Sequence, residues 1–169
     1  MYRLTNVGLL FLLGMLSFSA VALPELNTVG QGSYRYLFWQ LYDARLATPN
    51  GEFSDYKTSS PLLLELEYKR KIAKDDIITA TLEQWQKLNN VAKSQQDNWV
   101  VQLGKLWRDV DKGDKLSALM QQDGSVVFYF NGEETGKVTD TEFGPAFFDI
   151  WLSPDSSAPK LRRQLITAQ

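Results

Sequence analysis

Residues 115–138 read KLSALMQQDGSVVFYFNGEETGKV, and this stretch decides the fold. Apolar and polar residues alternate with period two from Leu116 to Met120 and from Val126 to Phe130, and residues 133–138 continue the pattern. Asp123-Gly124 and Asn131-Gly132 separate the runs, and both dipeptides suit the positive φ of tight hairpin turns. The spacing predicts an antiparallel meander.

Upstream, the period changes. Ile77, Ile78, Thr81, Leu82, Trp85 and Leu88 recur at three- and four-residue steps behind an acidic first turn, Asp75-Asp76, which predicts a helix. A second helix is expected over about residues 95–110, with Trp99, Leu103, Leu106, Trp107 and Val110 on one face and Lys112-Gly113-Asp114 as its stop. Before these, residues 62–68 (LLLELEY) read as a strand. Residues 50–60 read as a loop. Residues 33–48 (SYRYLFWQLYDARLAT) are rich in β-formers and too long for one average strand, so two strands or one bent strand are expected, buried between two layers.

Downstream, Thr139 and Glu142 are spaced as a capping box, with Asp140 as the alternative cap. Phe143, Phe147, Phe148 and Trp151 line the helix that follows. A last helix opens at Ala158-Pro159 and carries Leu161, Leu165 and Ile166. Strands are thus segregated from helices, which predicts an α+β fold with helices packed on one face of an antiparallel sheet.

Residues 1–22 carry Arg3, an apolar run VGLLFLLGML and small residues spaced as A-x-A up to Ala22. That is the pattern of a secretory signal cleaved after Ala22, leaving residues 23–169 as one domain. The apolar run is about half of what spans a bilayer, so no stable membrane anchor is expected after cleavage. A periplasmic protein is the expected product.

The chain has no cysteine and no histidine. Disulfides, thiolate nucleophiles, Cys/His zinc sites and a Ser-His-Asp relay are excluded by that count. A net charge of −2, from 18 basic and 20 acidic residues, argues against a nucleic-acid partner. Asp109, Asp111 and Asp114 lack the ligating Glu of a calcium loop and read as a helix end and turn, so no metal and no cofactor is expected. Gly30-Gln31-Gly32 lacks the third glycine and the strand-to-helix setting of a nucleotide loop.

Arg35 is the charged residue that draws the eye, set between Tyr34 and Tyr36 and followed by Leu37-Phe38-Trp39. A guanidinium there is a solvent-face residue or an enclosed anion clamp. Arg45 is a second candidate or a partner for Asp43.

Gly30-Gln31-Gly32-Ser33-Tyr34-Arg35, Leu41-Tyr42-Asp43-Ala44-Arg45-Leu46, the 62–68 strand ahead of the Trp85 helix, Lys112-Gly113-Asp114, Phe130-Asn131-Gly132 and Phe147-Phe148-Asp149-Ile150-Trp151-Leu152 stand in a familiar order. Together they resemble the bacterial chalcone isomerase-like family across about residues 29–166. The resemblance implies an open-faced β-sandwich, a large antiparallel sheet under a layer of helices. It places the isomerases' anion-holding Arg near Arg35, but the positions of their Tyr and Asn fall on Ala73 and Ala80, and that of a Thr near Gln40. Those differences remove groups that position a phenolic substrate, so true chalcone isomerisation is not expected.

Other members of the fold are similar to fatty-acid-binding proteins, in which an Arg and a Tyr grip the carboxylate. By that resemblance the ligand would be a small amphipathic anion such as a fatty acid. Arg35 supplies the cation, Tyr42 or Tyr36 the phenol, and Trp39, Trp85 and Phe147 the walls. Two other readings stay open. One is an isomerase or lyase on another substrate, using Tyr36, Tyr42, Tyr68 or Lys69 for proton transfer. The other is a non-catalytic interaction module whose cleft is filled by its own aromatics.

Overall fold

The computed structural model describes residues 23–167, so the signal segment expected over residues 1–22 lies outside the described residues. Six strands and four helices follow in the order β1 (Asn27–Tyr36), β2 (Trp39–Thr48), β3 (Leu62–Tyr68), α1 (Lys74–Leu88), α2 (Lys93–Leu106), β4 (Lys115–Met120), β5 (Val126–Phe130), β6 (Glu133–Val138), α3 (Phe143–Leu152) and α4 (Pro159–Ile166). The strands form one antiparallel sheet in chain order, β1 to β6. The fold is α+β, as the segregation of strands from helices predicts.

The meander forms where the alternation places it. Asn131 and Gly132 take φ of 50° and 85°, the two positive values a primed hairpin turn needs. Alternation then sorts the side chains by face. Ala44, Leu46, Leu62, Leu64, Leu66, Leu116, Ala118 and Phe128 join the main core with the helices, while Ala47, Leu63, Leu119 and Tyr129 form a smaller cluster on the other face, joined by Leu23 and Leu26. The rest of that second face is charged. Lys69 lies 2.8 Å from Asp43 and 2.6 Å from Glu67, and Glu65 is shared by Arg45 and Lys115 at 3.5 Å each.

The helical layer is stitched by aromatic rings. Trp85 of α1, Trp99 of α2 and Phe143 of α3 meet edge to face with centroids 5.2 to 6.1 Å apart. The indole of Trp85 donates to the Ala146 carbonyl at 3.0 Å, and that of Trp99 to Asp140 at 2.8 Å.

Three local expectations need correction. Residues 33–48 are a hairpin with Leu37-Phe38 as its two-residue turn, and its tip is exposed rather than buried between layers. The second helix ends at Leu106. Trp107 is already extended, and Val110 pairs with Ile72 in an isolated bridge that exchanges both backbone hydrogen bonds at 3.0 Å. The capping box at Thr139 does not form. Glu142 occupies the N-cap position of α3, and the Asp140 carboxylate accepts from the Glu142 N–H at 3.0 Å. With α2 ended at Leu106, Asp109 lies beyond that end rather than at it, and its carboxylate accepts from the Lys74 N–H at 2.9 Å, which satisfies an orphan donor of α1.

The Gly30-Gln31-Gly32 stretch has a packing role. A Cβ on Gly30 would lie 2.2 Å from the Gln164 carbonyl oxygen, and one on Gly32 would lie 2.4 Å from the Gln164 side-chain oxygen. These glycines let α4 lie directly on β1. Among the described residues no helix is long and apolar enough to cross a membrane.

Candidate functional site

Between the sheet and the helical layer lies a cavity of about 350 Å³, within the size range of small-ligand sites. Leu64 and Leu66 of β3, Leu116 and Ala118 of β4 and Phe128 of β5 form its floor. Ile77, Ala80 and Thr81 of α1 and Phe147, Ile150 and Trp151 of α3 form its roof. Arg70, Asp76, Ala80 and Ser157 line it and are exposed, so they mark the side on which it opens to solvent.

β3 explains why a cation stands there. Its alternation puts Leu64, Leu66 and Tyr68 on the cavity side, and continuing two residues past the strand end brings Arg70 to the same side. The Arg70 guanidinium lies 4.7 Å from the Trp39 ring centroid and forms no ion pair among the described residues. A guanidinium stays charged at any working pH.

Three residues that line this space carry a further donor. Tyr42 stacks on Tyr34 at 5.2 Å and meets the edge of Tyr68 at 5.8 Å. Its oxygen accepts from the Trp151 indole at 3.0 Å, which leaves the Tyr42 O–H free to donate. Tyr68 is buried, and its hydroxyl has no partner among the described residues. The Trp107 indole N–H is also buried without a partner among the described residues. An unmade hydrogen bond on an enclosed atom costs about 1–3 kcal/mol, and among the described residues that applies to the Trp107 indole, whereas the Tyr68 hydroxyl is an accessible donor on the cavity wall.

Burial pushes the Tyr42 and Tyr68 hydroxyls well above the usual phenol range; at Tyr42 the Trp151 hydrogen bond opposes the shift without cancelling it. Both phenols therefore stay neutral donors. Tyr56 is raised as well, by burial and by its 2.6 Å hydrogen bond to Asp149, but it lies outside the cavity. Among the described residues no group of three or more carboxylates is placed to hold a metal.

The residues expected from the sequence separate into three groups. Tyr42 and Phe147 line the cavity. Trp85 does not, because it is fully buried in the aromatic seam between α1, α2 and α3. Arg35, Tyr36 and Trp39 stand at the exposed tip of the β1–β2 hairpin and outside the cavity lining. The expectation of an enclosed Arg35 is thus replaced by an exposed one whose guanidinium donates to Gln40 at 3.3 Å. Strand alternation is the physical reason: Tyr34 lies on the cavity wall, so its neighbour Arg35 projects to the opposite face, where Ser33, Gln40 and Asp43 also lie.

Of the positions that the resemblance matches to the isomerases' Tyr and Asn, Ala80 lines the cavity and Ala73 caps α1. The cavity's own cation, Arg70, was missed. Nor is the space filled by the chain's tryptophans, which the interaction-module reading requires.

The family model described as chalcone isomerase-like matches residues 22–167. An uncharacterized protein of Haemophilus influenzae is 26% identical over 159 residues, which cover 93% of this chain and 76% of that protein. Among solved structures, an Arabidopsis thaliana fatty-acid binding protein superposes with a TM-score of 0.66 over 88% of this chain and 90% of its own, at 11% identity. At that identity the match is evidence of shared fold alone.

Proposed function

The chain belongs to the chalcone isomerase-like family, and from that premise we propose that it is an exported binder of a small amphipathic anion, a fatty acid in the first instance. The observation that carries this reading is the apolar cavity with Arg70 at its mouth and the Tyr42 and Tyr68 hydroxyl groups among its lining residues. The acyl chain lies between sheet and helices, and the carboxylate meets Arg70, with the Tyr68 hydroxyl on the same face of the β3 line as a second donor to it. The fold it shares with a plant fatty-acid binding protein supports the reading. Ala80 puts a methyl group on the wall at the position matched to the isomerases' Asn, so turnover of a chalcone is not expected. The signal-like residues 1–22 support export.

The test is organic extraction and native mass spectrometry of the protein isolated from the periplasm of a bacterial host, with its N-terminus read at Leu23. A bound acid is expected in the wild type and in Arg35→Ala. Arg70→Ala should lose it, with affinity for added fatty acid down about 10- to 100-fold, the worth of a charge-assisted hydrogen bond. Retention in Arg70→Ala with loss in Arg35→Ala would overturn the site.

The pH dependence has a definite sign. Phenols held above their usual range stay protonated, so affinity should be flat from about pH 6 to about pH 9. It should fall only when acid protonates the ligand carboxylate, near the ordinary carboxyl pKa of about 4, and removes the charge that Arg70 recognises. Binding titrations across that range check it.

A further inference from the structure

The two-residue turn between β1 and β2 carries large apolar side chains in solvent. Phe38 is 94% exposed, Leu37 75%, Tyr36 61% and Trp39 60%. None of the four belongs to either hydrophobic cluster, so the fold gains no core from them. Leu37 holds a φ of 53°, where turn sequences ordinarily place Asn or Gly.

Two guanidinium groups collar this apex. Arg35 precedes it, and Arg70 lies against the Trp39 ring, and neither forms an ion pair among the described residues. The carboxylate of the hairpin, Asp43, is engaged by Lys69 at 2.8 Å and accepts from Ser33 and Gln40 at 2.6 Å each. An apolar point inside a cationic ring suits the boundary of an anionic bilayer, where Trp and Tyr rest at headgroup depth and Phe and Leu reach the acyl region. A stable protein partner would need a broad surface of about 800 Å² on this side, which a projecting four-residue apex does not offer.

We propose that Tyr36-Leu37-Phe38-Trp39, collared by Arg35 and Arg70, docks the protein peripherally on an anionic lipid surface. Tyr34, Leu41 and Tyr42 of the same two strands line the cavity, and Arg70 belongs to both tip and cavity mouth. Docking therefore brings the mouth toward the leaflet. Passage of an acid from leaflet to cavity rests on the ligand reading above, whereas the docking itself does not.

Trp39 makes the test direct, because the other four tryptophans, Trp85, Trp99, Trp107 and Trp151, are buried. The purified protein is mixed with vesicles of phosphatidylcholine alone or of phosphatidylcholine with phosphatidylglycerol, and sedimentation and tryptophan emission are read. Sedimentation with the anionic vesicles and a blue shift are expected. The double variant Leu37→Ser/Phe38→Ser should lose both, with binding down at least about tenfold. Arg35→Gln should weaken anionic binding about fivefold and leave neutral vesicles unaffected. Both variants should keep the wild-type Tm and extractable acid, so a failed ligand reading shows in extraction and a failed docking reading shows in sedimentation. Absence of wild-type binding to either vesicle overturns the proposal, as does equal binding by the double variant. So does self-association in ultracentrifugation that the double variant abolishes, which would make the tip a contact between copies.

Discussion

Trp85→Ala is expected to cost about 3–5 kcal/mol of folding stability, the range for truncating a fully buried large aromatic. In a domain of this size that lowers Tm by roughly 10 °C or more. The cause lies in the seam of the helical layer. Trp85 has no exposed surface, packs its ring edge to face on Trp99 at 5.4 Å and on Phe143 at 6.1 Å, and donates to the Ala146 carbonyl. The truncation opens a cavity and also removes the indole's hydrogen bond to that carbonyl. Urea unfolding of variant and wild type measures the loss. A variant of wild-type stability that no longer binds fatty acid would return Trp85 to the role of a ligand wall.

Gly30→Ala is the second large effect, at about 3 kcal/mol, the upper part of the overpacking range. The added methyl would stand 2.2 Å from the Gln164 carbonyl oxygen and 2.5 Å from that of Leu165, both on the backbone of α4 and unable to swing aside. Gly32→Ala is the internal control. Its new Cβ meets the Gln164 amide and a Leu161 methyl, which are ends of flexible side chains, so a cost of about 1 kcal/mol is expected. Denaturant titration of the pair should give this order, and equal costs would mean that α4 is free to shift as a body.

The parts of the fold that were legible are those written locally. The meander follows from Asp123-Gly124 and Asn131-Gly132, and α1 and α3 follow from stripes at three- and four-residue steps. The β1–β2 hairpin was illegible at its turn because Leu37-Phe38 carries no turn chemistry. The end of α2 was misplaced because Val110 continues the apolar stripe, while its partner, Ile72, lies far back in the chain.

In the site, Tyr42 and Phe147, named on the family resemblance, do line the cavity. Arg35 was expected inside on the strength of the family resemblance, although alternation from Tyr34 already pointed it to the other face. Arg70 did leave one, in the period-two series Leu64, Leu66, Tyr68, Arg70. The series was read as stopping at Tyr68 when the strand's polar end began.

The seam between α4 and β1 also governs the order in which the chain can close. Three of the five strand pairings, β1 with β2, β4 with β5 and β5 with β6, join neighbours across tight turns and require only short loops to form. The contact of α4 with β1 is of another kind, for it links the last element to the first and encloses nearly the whole domain in one loop. The entropy of closing a loop grows with its length, and helix docking cannot begin before its residues exist. A chain that emerges N-terminus first, from whichever pore it leaves, can therefore pair much of its sheet while Gly30 and Gly32 wait uncovered. Completion of the fold waits for α4.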